Sequence, residues 1–435
     1  MAFLDSLFAS SQPSLFSPAW VGRRKFFFIA TCMSFLLFQL LFLANESYIF
    51  GILFRANTRI KAFNVLFVDY DQGAIGDSVR SAYSQISGDG FVTLQEHSPS
   101  SYASASAIED AVCRGDFWGA VLVSSGASEQ LATTLAGDAT EPWDVTTAAT
   151  AMHVGIRYPI IQQSYISPDI QTLFAAARAN YIVGLAGSNI SSDLSTITPY
   201  LAQPFSFTSH DVAATPPSTN PFYNTATVVF VILMQFFCIL AFNGICQGFG
   251  IFSGASIRSH LAVRFSYSII FTLVGSLLTT GYLFAFQDTW GLIAAQFGQT
   301  WMLLWLSMHV NWLVLDTAAG FFPIAAVPFF TFTWIIVNMA STVMPFEISP
   351  GFYRIGYMWP AHNMLEVLIQ IWSGGCYNRL YRTLPVLFSW ELVAAVVDLF
   401  AQVRRCKTMA QVPADEALTS SSREFDGTPE EKPAA

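Results

Sequence analysis

Apolar residues dominate six stretches of the chain, at about 26–43, 222–245, 265–286, 290–313, 321–344 and 385–403. Each reaches or approaches the roughly 20 mostly apolar residues that a helix needs to cross a bilayer. A different pattern fills the gap between the first and second. Residues 63–137 alternate β-rich runs with helical ones: FNVLFVD then AIGDSVRSAYSQI, FVTLQEH then a helix at about 104–113, FWGAVLVS then ASEQLATTLAG. That βαβαβα order predicts a small sheet with helices packed on it. Residues 160–186 suit a long helix interrupted near Pro168, and QPFSFTSHDVAATPP returns the chain as a strand. The expected fold is an α-helical polytopic membrane protein of six transmembrane helices. A small α/β extracytoplasmic domain lies between its first and second spans.

Composition agrees with this reading. The 435 residues are 53% hydrophobic and 11% charged, where a soluble domain carries about a quarter charged residues. Basic residues set the orientation, because short cytoplasmic loops are enriched in Lys and Arg. Arg23, Arg24 and Lys25 precede the first run, and Arg404, Arg405 and Lys407 follow the last. Both ends are therefore expected in the cytoplasm, as an even number of spans requires. Loop 246–264, with Arg258 and Arg264, falls on the same side. The first run is too long for a signal-peptide core and lacks a small-residue cleavage site close behind it, so it reads as a signal anchor.

The expected organisation is a cytoplasmic N-terminus at 1–25, the first helix at 26–45 and the outward domain at 46–221. A five-helix membrane domain follows at 222–403, containing a re-entrant or interfacial segment at 345–384. A disordered cytoplasmic tail occupies 404–435. The outward block holds 16 acidic and 7 basic residues, a difference of −9 that equals the net charge of the whole chain. Such a balance argues against a nucleic-acid partner, which needs a basic face. Asn45 and Asn189 open glycosylation sequons at or beyond the outer edge of the first span.

Motifs for chemistry are missing. There is no phosphate-binding GxxxxGK[ST], no GxSxG and no HExxH, and the six histidines show no metal-ligand spacing. GFGIFSG follows a membrane run and has the wrong spacing for a dinucleotide loop. Asp69 and Asp71, at a strand end before a helix, suit a turn and helix N-terminus better than a metal or phosphate site. No enzyme, metal or cofactor is expected. What remains is polarity inside the spans: Glu391 and Asp398, seven apart on the last helix, and Asn243, His309 and Asn338 in three others. Ionisable groups at membrane depth usually face a bundle interior or a water path. Structural alternatives stand beside that reading. Glu391 could pair with Arg379 or Arg382 near the outer interface, and Asp398 with Arg404 or Arg405.

The segment PFEISPGFYRIGYMWPAHNM, 345–364, is too polar and broken to span. Pro345, Pro350 and Pro360 each remove a backbone donor, while Tyr353, Tyr357 and Trp359 suit a bilayer interface. It reads as a cap over the outer mouth of the bundle, with Glu347, Tyr353, Arg354 and Tyr357 as functional candidates. Glu347 and Arg354 could instead pair to hold its fold. Cys113 and Cys376 are the only cysteines expected on the outward side, so a disulfide between them and two free thiols are both open readings.

PFEISPGFYRIGYMWPAHN followed by LPVLFSWELV resembles the C-terminal signature of the fungal nitrosoguanidine-resistance membrane protein family. The order of parts is similar as well, and also resembles ABC-type exporter permeases without a fused ATPase. The resemblance implies resistance to toxic compounds or a role in plasma-membrane lipid organisation. Export of a toxic small molecule or secondary metabolite is the function expected. Its partners would be the lipid bilayer, a small-molecule amphiphile or toxicant, and a separate ATPase or a homo-oligomer. A non-transporting regulator of lipid organisation or partner binding is the alternative. The expected location is the plasma membrane, with another secretory-pathway membrane as the alternative.

Overall fold

The computed structural model describes residues 15–185, 194–214 and 222–425. Contacts divide the chain into a unit ending at Gly51 and a second unit from Ile52 onward. The first is carried by one long helix, α1 (Val21–Gly51).

In the second unit, β1 (Asn64–Asp69), α2 (Ala74–Ile86), β2 (Thr93–His97), α3 (Ala105–Arg114), β3 (Gly119–Val123) and α4 (Ala127–Ala136) follow the alternation expected from the sequence. A fourth strand, β4 (Ala149–His153), was not expected; its run ATAMH is short and alanine-rich, with weak β-propensity. The helix expected over 160–186 is interrupted as anticipated. A π-turn at Gln162–Ile166 leads into α5 (Ser167–Gly184). After α6 (Leu194–Ala202), β5 (Phe207–Asp211) completes a five-stranded sheet of order β2-β1-β3-β4-β5. β1 pairs in parallel with β2 and β3, β4 runs antiparallel to β3, and β5 parallel to β4. Four successive residues of β1 and all five of β3 are buried and apolar apart from glycine, as central strands covered on both faces require. The exposed edge β5 carries the polar run TSHD.

Asp69, at the end of β1, accepts from the backbone N–H groups of Asp71 and Gln72 and from Arg80. Asp71 accepts from the hydroxyl and backbone of Ser128. These carboxylates fasten a turn. Gly76 packs so closely on Asp69 that a Cβ there would lie 1.9 Å from its carboxylate.

The helical layer consists of α7 (Thr227–Gly248), α8 (Ile257–Ala285), α9 (Ala294–Phe321), α10 (Val327–Val343), α11 (Pro360–Trp372) and α12 (Leu380–Phe425). Among the described residues, five helical stretches are long and apolar enough to cross a membrane: Pro18–Ala62, Tyr223–Gly248, Ile257–Ala285, Ile324–Val343 and Leu380–Ala410. The chain is thus a membrane-embedded protein with a small sheet. α9 meets the length but is too polar to join them. It packs against α7, α8, α10, α11 and α12 and is buried nearly all round from Leu303 to Ala319. A helix enclosed by others can carry polar side chains that a lipid-facing one cannot. The last helix continues to Phe425, where the sequence suggested a disordered tail from residue 404. Extending an existing helix avoids the cost of nucleation.

Segment 345–384 is wedged between the sheet layer and the bundle. A 3₁₀ helix at Gly351–Met358 precedes α11, which is buried on almost every side. Cys113 at the end of α3 and Cys376 after α11 form a disulfide, and the backbone N–H of Tyr377 donates to the Cys113 carbonyl at 2.6 Å. The two open readings of these thiols are thereby resolved in favour of the bridge. It closes a sequence separation of 263 residues, and native disulfides contribute about 2–4 kcal/mol, chiefly by restricting the unfolded chain. Replacing both cysteines with serine should lower the Tm in detergent by several degrees. Reductant should lower the wild-type Tm equally and leave the variant unmoved; an unchanged Tm in both cases would show the bridge to be energetically idle.

Candidate functional site

The polar residues of the bundle gather in two layers along α9 and α12. Seven residues separate His309 from Asp316, Glu391 from Asp398, and Asp398 from Arg405, two helical turns in each case, so each set lies on nearly one face. In the first layer, His309 Nδ1 meets Glu391 Oε1 at 2.5 Å, and Ser268 of α8 lies 3.3 Å from His309 Nε2. The other carboxylate oxygen of Glu391 is buried and has no hydrogen-bond partner among the described residues. In the second layer, Arg264 of α8 donates through Nε and Nη2 to the two carboxylate oxygens of Asp316. Both residues are fully enclosed, at 3% and 0% exposure. Asn243 Oδ1 accepts from Arg264 at 2.8 Å and from Arg405 at 3.0 Å. Gln402 bonds Asp398 at 3.0 Å and the Asp316 carbonyl at 3.2 Å.

A cavity of about 460 Å³ opens between α8, α9 and α12. His309, Glu391, Asp398, Arg264, Ser268 and Gln402 line it, with Trp312, Phe265 and several aliphatic residues supplying the apolar remainder. A second cavity of about 460 Å³ is lined by Asn243, Gln247, Arg404 and Arg405. Arg264 borders the first cavity and bonds Asn243, which borders the second. The charged layer therefore stands between the two.

Four of the five residues singled out in the spans thus converge, in a way neither structural alternative anticipated. Glu391 pairs with His309, while Arg382 is taken by Glu366. Asp398 faces Gln402, and Arg405 turns to Asn243. Asn338 stands apart: its Oδ1 accepts from the Ala361 N–H at 3.1 Å and so caps the start of α11, a structural duty. Arg264, Asp316, Ser268 and Gln402 were missed. The sequence reads Arg264 as a cytoplasmic-loop charge, but α8 begins at Ile257 and turns it inward. Asp316 lay beyond the expected end of the fourth run, and only its heptad spacing from His309 could have found it.

In the cap, Tyr353 is buried at 7% exposure, while Glu347 and Arg354 are exposed and no ion pair joins them among the described residues. The pairing that holds this region is elsewhere. Glu366 of α11 lies 3.3 Å from His362, and both its oxygens accept from Arg382 at 2.7 and 2.6 Å. Burial alone would raise the carboxyl, but the bonds and charge of His362 and Arg382 outweigh it and hold Glu366 below its ordinary value. A carboxylate depressed in the folded state contributes stability above its unfolded pKa, about 4.3, and loses it as pH falls through the lower folded value. Thermal stability of the purified protein should therefore drop below about pH 4, and Glu366→Gln should lack that component; identical pH curves for the two would contradict the assignment. Tyr357, another cap candidate, is more than a third exposed and packs edge-on against Phe346. Asn45 lies within α1, its amide donating to the Leu41 carbonyl at 2.9 Å, and Asn189 lies outside the described residues.

A family model described as a protein of unknown function (DUF3533) matches residues 34–396. The chain belongs to that family. No solved structure matches it.

Proposed function

We propose that the protein is a six-span, permease-like exporter of toxic amphiphilic small molecules, driven by protonation of the intramembrane layer. The observation that carries this reading is the convergence of His309, Glu391 and Asp398 on one largely apolar cavity between three helices. Ionisable groups are costly at membrane depth, and those found there commonly form ion or proton pathways. The partnerless oxygen of Glu391 is placed to take up a proton. Two carboxylates beside Trp312 and Phe265 favour an amphiphile bearing positive charge, through ion pairing and contact with aromatic faces. The Arg264–Asp316–Asn243 layer then separates the two cavities and serves as the closed barrier.

In this reading α9 is the sixth span, shielded from lipid by its neighbours. Both termini are cytoplasmic, and the sheet layer lies outside at the plasma membrane. A disulfide between that layer and the cap suits an oxidising compartment. The likeness of the 345–364 stretch to the fungal nitrosoguanidine-resistance proteins points the same way. The test is intracellular accumulation of a panel of toxicants, including the lipophilic cation ethidium, in cells with and without the protein. Expression should lower accumulation and raise resistance. Equal accumulation across the panel at normal membrane abundance would favour a non-transporting regulator of lipid organisation.

A further inference from the structure

A cleft of about 310 Å³ lies where the sheet layer meets the cap, away from the intramembrane cavities. Its wall is built closely. The disulfide and the Tyr377–Cys113 backbone bond fix one side. Gly115, at φ +78°, lets the Tyr377 ring approach to where a Cβ would lie 2.4 Å from it. Into this wall is set Arg157, 5% exposed. Its guanidinium lies 3.8 Å from the Trp118 ring centroid and 4.3 Å from that of Tyr377. Nη1 donates to the Phe117 carbonyl at 3.3 Å, while the buried Nε has no hydrogen-bond partner among the described residues. No carboxylate pairs with Arg157 among the described residues. Arg379, also lining the cleft, lies 4.9 Å from the same Tyr377 ring and likewise has no acidic partner there.

The acids of the cleft do not offset these charges. Glu366 is held by Arg382 and Asp116 by Arg114. Glu347 is the remaining acid of the lining, exposed and without a basic partner among the described residues. A buried guanidinium with no counter-ion is unfavourable, and aromatic stacking compensates only part of its lost hydration. Planar guanidinium groups match phosphate oxygens with paired N–H donors.

We propose that this cleft binds a phosphoester, with Arg157 and Arg379 taking the phosphate and Glu347 selecting a ligand that also carries an amine. Burial holds the Tyr158 phenol, on the same cleft, well above its usual pKa, so it stays a hydrogen-bond donor rather than a repelling anion. A soluble phosphoamine and a phospholipid headgroup share this chemistry, and the site does not rest on the export reading.

The experiment uses the purified full chain in phospholipid-free detergent, titrated with inorganic phosphate, O-phosphoethanolamine and lysophosphatidylethanolamine at matched ionic strength, with binding read by Tm. Saturable stabilisation is expected with the two amine-bearing phosphoesters, and more weakly with phosphate. Response to the lyso-lipid alone identifies a headgroup site, and response to both identifies a site open to soluble phosphoesters. Arg157→Gln and Arg379→Gln should each weaken binding at least tenfold, and Glu347→Gln should erase the preference for an amine. Should Arg157→Gln fail to fold, Arg379→Gln decides. Unchanged affinity in that variant, or no saturable response to any of the three ligands, overturns the proposal.

Discussion

Asp316→Asn should cut membrane abundance sharply. The substitution removes the carboxylate to which Arg264 donates twice, and both side chains are fully enclosed between α8 and α9. Breaking a buried pair by neutralising one member costs about 3–5 kcal/mol, because the remaining charge stays desolvated and uncompensated. Asn243 offers Arg264 one oxygen, already shared with Arg405, so it cannot replace the carboxylate. A second substitution separates charge from packing: Arg264→Met combined with Asp316→Leu removes both charges at similar volume. That double variant should recover most of the abundance lost in Asp316→Asn, measured by fluorescence-detected size exclusion. If Asp316→Asn alone accumulates as well as wild type, the layer is not the electrostatic lock described here.

The same pair shows where sequence reading reached its limit. The strands β1, β2 and β3 and the helices after them were legible because β-branched runs and amphipathic periods stand out against polar turns. β4 was not, since ATAMH has neither signature and takes its place by antiparallel pairing with β3. The apolar helices announced themselves by hydropathy, and α9 did so only over 290–313, because burial in the middle of the bundle relaxes the demand for apolar residues toward its end at Phe321. Glu391, Asp398, His309 and Asn243 were recognisable as costly groups in apolar surroundings. Their partners were not: Arg264 looked like a flanking charge and Asp316 like a residue beyond a span. Which acid meets which base depends on the rotation and axial offset of three helices, and a single sequence carries that only faintly, in heptad spacings. Arg157 of the outer cleft carried no local signal, because its surroundings come from residues 118 and 377, far apart in the chain.

Glu391→Gln should do the opposite of Asp316→Asn: abundance near wild type, with export lost. Glu391 is partly exposed to the cavity, and a glutamine can still accept from or donate to His309. What it cannot do is bind and release a proton or pair with a cationic amphiphile. Asp398→Asn should behave similarly, since Gln402 can bond an amide as well as a carboxylate. Cells carrying either variant at normal surface levels should accumulate ethidium to at least several times the level of cells with wild-type protein, and lose resistance. The pattern distinguishes a working pocket from a structural one, because a purely structural glutamate would fail in abundance first. Tyr357→Ala, in the exposed part of the cap, should leave abundance intact as well.

The most direct test of a proton-driven path is flux in proteoliposomes containing the purified protein, with ethidium supplied and a pH gradient imposed or collapsed. Wild-type protein should move ethidium only while the gradient stands and should move protons in the opposite direction. The combined Glu391→Gln and Asp398→Asn protein should do neither. Gradient-dependent flux at wild-type rate in that double variant would contradict the account, since no protonatable carboxylate would then remain on the cavity wall.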